Sequence, residues 1–84
     1  MAQHTVLVEF PDGGVLVRTA TGHYWIHSRP GTHIPAQHVT MGQAAIRVVR
    51  DNGVVVRSDA LTGHLRTAIA MERERWSREQ NQTP

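Results

Sequence analysis

Cysteine and lysine are both missing from this 84-residue chain. Without cysteine there is no disulfide scaffold, no thiol nucleophile and no cysteine-bound zinc, and the usage fits a reducing compartment. Without lysine there is no P-loop, whose phosphate cradle needs Gly-Lys-Ser/Thr. Serine is scarce: Ser28, Ser58 and Ser77 are the whole set, and none sits in a G-x-S-x-G elbow. No stretch approaches the roughly 20 consecutive apolar residues of a membrane span. The opening "MAQHTVLVEF" lacks the basic start, long apolar run and small-residue cleavage site of a signal peptide, so a cytoplasmic protein is expected. These absences point away from an enzyme, and no cofactor is expected.

Charge is modest. The net value is +2, and all nine basic residues are arginine. GC-rich codon usage accounts for that bias, and arginine's planar fork also suits phosphate and carboxylate recognition. A charge of this size does not demand a nucleic-acid partner, and it excludes an acidic mimic of DNA.

The length makes one small domain, expected over 1–80, with a frayed tail over 81–84. A chain this short buries only about 60–65% of its unfolded surface. Self-association or partner binding is therefore an expected further source of stability.

"TVLVEF" (5–10) and "VLVRT" (15–19) alternate as strands around the turn "PDGG". Pairing Phe10 with Val15 puts Val6, Val8, Phe10, Val15 and Val17 on one face. Leu7, Glu9, Leu16 and Arg18 then take the other. "HYWIHS" (23–28) reads as a third strand, with His23, Trp25 and His27 on one side and Tyr24 and Ile26 opposite. "RPGTHIP" (29–35) is broken by two prolines and a glycine, and a loop is expected from Ser28 to Gln43.

The next segment reads two ways. Residues 44–58 form a hairpin around Asn52-Gly53, the dipeptide suited to a type I′ turn, or the chain up to Gly53 is a helix capped there. The β-branched run Ile46, Val48, Val49, Val54, Val55 and Val56 favours the hairpin, and so does Gly42. In that hairpin Arg50 and Arg57 share a face with Ile46, Val48 and Val55. A final helix is expected from Ser58 as N-cap, with Leu61, Leu65, Ala68, Ile69, Glu72 and Trp76 on one stripe. The expected fold is thus α+β: a small twisted antiparallel sheet of three to five strands with a C-terminal helix packed on it.

"DGGVLVRT" (12–19) recurs as "DNGVVVRS" (51–58). Two copies cannot build a solenoid. The echo reads as a shared turn-and-strand recipe, with valines inward and Arg18 and Arg57 outward.

Six histidines invite a metal site, but on a strand His23 and His27 stand about 13 Å apart. That is too far for one zinc with ligands near 2 Å, so no metal is expected. The remaining candidates are partner contacts: Arg18, Arg47, Arg50 and Arg57 on the hairpin faces, with the aromatics Tyr24 and Trp25. Arginine beside large apolar residues suits a protein interface. The expected function is a small non-enzymatic protein that binds another protein, in the manner of an accessory or inhibitor that a phage or mobile element encodes against a host machine. The alternative is a nucleic-acid module that uses the same arginines with aromatic stacking.

Overall fold

A computed structural model of the chain describes residues 4–81. Five antiparallel strands form one sheet: β1 (His4–Glu9), β2 (Val15–Thr19), β3 (Tyr24–His27), β4 (Gln37–Val39) and β5 (Val54–Val55). Their order is β4-β3-β2-β1-β5. The first four strands make a meander. Helix α1 (Met41–Arg50) then crosses back, so that β5 joins the free edge of β1. A 3₁₀ turn (Ser58–Ala60) leads into helix α2 (Gly63–Asn81). The architecture is α+β, as the patterning implied. Residues 82–84, the rest of the expected frayed tail, lie outside the described residues.

The β1–β2 register differs from the simple pairing. Phe10 does not face Val15. Its amide donates to Gly14 O (2.9 Å), and its carbonyl accepts from Gly13 N (2.9 Å). Phe10 therefore closes the turn, where Gly13 holds a φ of 92°. Glu9 faces Val15 and Val8 faces Leu16, but Val6 faces Val17. The extra residue is Leu7, a β-bulge. It flips the face of everything before it. Leu7, Val8, Phe10 and Leu16 all enter the core, whereas Val17 is absent from that cluster. The bulge also aims the Leu7 carbonyl sideways, where it accepts from Val56 N (2.9 Å) and Arg57 N (3.4 Å).

Residues 41–50 are helix, and the hairpin reading is corrected. Thr40 caps the first turn. Its hydroxyl accepts from Gln43 N (3.1 Å), while its own amide donates to Gln43 Oε1 (2.9 Å). This reciprocal capping box satisfies two backbone donors that helices leave orphaned. Gly42 falls in that first turn, where its flexibility costs little. Ala44, Ala45 and Val48 are buried on one side. The Asn52-Gly53 pair ends the helix: Asn52 takes the left-handed conformation (φ 57°), and Gly53 N donates to Val48 O (2.8 Å). Gly53 is also needed for space. A Cβ there would sit 2.6 Å from Val8 Cγ1. The same dipeptide serves a hairpin or a helix end, and the cap at Thr40 decides between them.

Helix α2 starts later than Ser58. The Thr62 hydroxyl accepts from Leu65 N (3.2 Å), which makes Thr62 the cap. Leu65 and Ile69 join the core, with Ala68 partly buried beside them. Glu72 is buried on the same stripe, and Trp76 is half-buried. Glu72 accepts from Arg50 (3.3 Å) on α1 and from Arg75 (3.2 Å) on its own helix. Arg50 also pairs with Glu79 (3.0 Å), and its guanidinium lies 4.7 Å from the Trp76 ring centre. This clamp ties α2 along α1.

The repeated phrase therefore builds two different objects. Its first copy is a hairpin turn and a five-residue strand; its second is a helix end and a two-residue strand. Arg18 is half-buried and Arg57 exposed, so the shared outward orientation does not hold.

Candidate functional site

The two faces of the sheet differ. Alternation along β3 sends Tyr24 and Ile26 into the core with α1, so Trp25 and His27 project from the opposite side. On that side the cross-strand row Val6–Val17–Trp25–His38 runs from β1 to β4. A second row, Glu9–Val15–His27, lies on one flank. His4 pairs with Thr19 on the other flank, with His23 just beyond. Both helices lie on the core side and leave this face uncovered.

Its rings touch one another. Trp25 meets His38 edge to face, centres 5.1 Å apart. His38 Nε2 and His23 Nδ1 are within 3.3 Å. His4 and His27 stack at 6.1 Å with an interplanar angle of 21°. They come from diagonal corners, and Val17 is the midpoint of that diagonal in the strand register. A stack spanning that diagonal accounts for Val17 being only 2% exposed while lying outside the core cluster. The surface is a Trp–His–Val patch. Among its strand positions Glu9 is the only residue bearing a full charge.

The expected partner contacts do not gather in one place. Trp25 lies on the open face. Tyr24 is buried beneath the sheet, its hydroxyl 3.4 Å from that of Thr62. Arg47 pairs with Asp51 on α1, Arg50 belongs to the interhelical clamp, and Arg57 pairs with Asp59 (3.2 Å). Asp59, held by the Arg57 guanidinium, sits below the usual carboxylate range, and Arg57 is raised by the same contact. Arg50 is raised mainly by its hydrogen bond to Glu79. These three arginines are committed to carboxylates of the chain itself. Arg18 is different: among the described residues it has no ion pair, and its Nε is buried without a hydrogen-bond partner.

The alternation of "HYWIH" already placed His23, Trp25 and His27 together. The face could not be assembled from that alone, because the bulge at Leu7 and the strand at His38 leave no local signal. Among the described residues no three His, Asp or Glu side chains are grouped to hold a metal ion, and no helix is long and apolar enough to cross a membrane. No family model, curated protein or solved structure matches this chain.

Proposed function

We propose that this domain is a non-enzymatic protein-binding module that docks its partner on the uncovered sheet face around Trp25. The supporting observation is the composition of that face: one tryptophan, four imidazoles and three valines, with a single full charge. Depletion of charge with enrichment in tryptophan is the signature of an interface core, and tryptophan dominates binding hot spots. The partner that fits is a protein surface of apolar side chains with acceptor oxygens, which would meet the indole and imidazole N–H groups.

The nucleic-acid alternative needs cations beside the stacking rings. Arg47, Arg50 and Arg57 are engaged by carboxylates and lie elsewhere, and Arg18 points to the other side of the sheet. That favours a protein partner. An accessory or inhibitor role in the cytoplasm is part of the proposal: a small domain of this kind acts by occupying another protein's surface.

The test is affinity capture with the wild-type domain, followed by titration of the purified captured protein. Trp25→Ala is expected to weaken that affinity at least tenfold, whereas Arg47→Ala leaves it unchanged. Nuclease treatment is expected to leave the capture intact. Retained affinity in Trp25→Ala, or loss of capture with nuclease, overturns the reading.

A further inference from the structure

A cavity opens beside the His4–Thr19 flank of the open face. It holds about 470 Å³ at the end of β1 and β2, beside the 3₁₀ turn. Its lining includes His4, Thr5, Thr19, Arg18, Leu7 and Ala60. The polar members bring one guanidinium, one imidazole and two hydroxyls, all able to donate hydrogen bonds. No carboxylate lines it.

Arg18 gives this cavity its chemistry. A buried donor without an acceptor is costly, and more so on a charged group. The guanidinium is held near the β2–β3 turn, where a Cβ at Gly22 would lie 3.6 Å from its Nη2. Five other arginines have carboxylate acceptors: Arg47, Arg50, Arg57, Arg75 and Arg78. A guanidinium whose Nε lacks an acceptor, in a donor-lined cavity, suits an acceptor oxygen from outside.

We infer that this cavity is a binding site for a small oxyanion, a carboxylate or phosphate group held by Arg18, with the ligand's apolar remainder against Ala20 and Ala60. Arg18 itself projects from the other side of β2 than Trp25, while His4 and Thr19 are shared with the flank of the partner face. It has room for more than a bare anion, so the group is one end of a small molecule or of a peptide.

Inorganic phosphate and acetate are the probes, with chloride at matched ionic strength as the control. In ¹H–¹⁵N spectra the Arg18 Nε–H resonance is expected to shift and saturate with one of the two probes but not with chloride. The probe with the lower Kd identifies the oxyanion class. The thermal midpoint should rise with that anion, as binding to the folded state alone requires. Arg18→Met should abolish both responses, Arg18→Lys should weaken binding about tenfold by losing the fork, and the exposed Arg73→Met should change neither. Without anion, Arg18→Met should melt no lower than the wild type, because it removes an unpaired buried donor and keeps the aliphatic stem. An Arg18 response equal in chloride overturns the inference. So does a clear loss of stability in anion-free Arg18→Met, which would make Arg18 a structural residue.

Discussion

Leu16 and Val17 are neighbours on β2, and each is at most 2% exposed. They are buried by different means. Leu16 faces the helices, in one core cluster with aliphatic side chains of α1 and α2. Val17 faces the other way, beneath rings that belong to the sheet's own surface. One face is closed by secondary structure and the other only by side chains. Close packing between fixed elements gives stability, whereas a lid of rotatable rings can be rearranged by a partner. The first face holds the fold together, and the second is the one proposed for recognition.

The sharpest way to break the comparison is to truncate Leu16. Leu16→Ala is expected to cost about 2–5 kcal/mol, since the removed methyl groups leave a cavity that sheet and helix cannot close. Urea unfolding monitored by circular dichroism measures it. A cost below about 1 kcal/mol would mean that the helices are not the rigid cover described.

How much of this was legible in the sequence follows the range of each interaction. The alternation of "VLVRT" and "HYWIH" and the stripe Leu65, Ala68, Ile69 and Glu72 are local patterns, and they place two strands and the last helix. The hairpin expected at Asn52-Gly53 failed because its evidence was propensity. Thr40 and Gln43, ten residues upstream, supply a reciprocal cap that outweighs the β preference of Ile46, Val48 and Val49. The bulge at Leu7 was hidden for a similar reason: Leu7 and Val8 are both apolar, so either register satisfies the pattern until Phe10 is drawn into the turn. Those two hidden features decide which face the helices cover. The candidate site was therefore half legible, with Trp25 and Arg18 named but assigned to one surface instead of two.

The smaller prediction on the same strand is Val17→Ala. It removes two methyl groups beneath the His4–His27 stack, where the rings can settle into the gap. A cost of about 1 kcal/mol is expected, at the low end for a buried aliphatic residue. The ratio of the two costs is the informative quantity. If Val17→Ala proves as damaging as Leu16→Ala, the rings form a fixed layer, and the open face is a second core.

The smallest effect is expected beyond the edge of the sheet, at Arg57. It follows β5, is exposed, and pairs with Asp59, itself 73% exposed by side chain. Asp59 has a lowered carboxyl pKa in the folded chain because of that pair. A depressed acid stabilises the fold above its unfolded value, and the contribution is lost as pH falls through the folded one. The sign therefore predicts an acid-side weakening, but solvent screens an exposed pair almost entirely. Arg57→Ala should shift neither the urea midpoint at pH 7 nor its decline below the carboxylate range by a measurable amount. The residue was singled out by the echo of "VLVRT" in "VVVRS", yet its surroundings share nothing with those of Arg18. A clear acid-side difference between wild type and Arg57→Ala would show that the 3₁₀ turn, which also walls the Arg18 cavity through Ala60, is held in place by this ion pair.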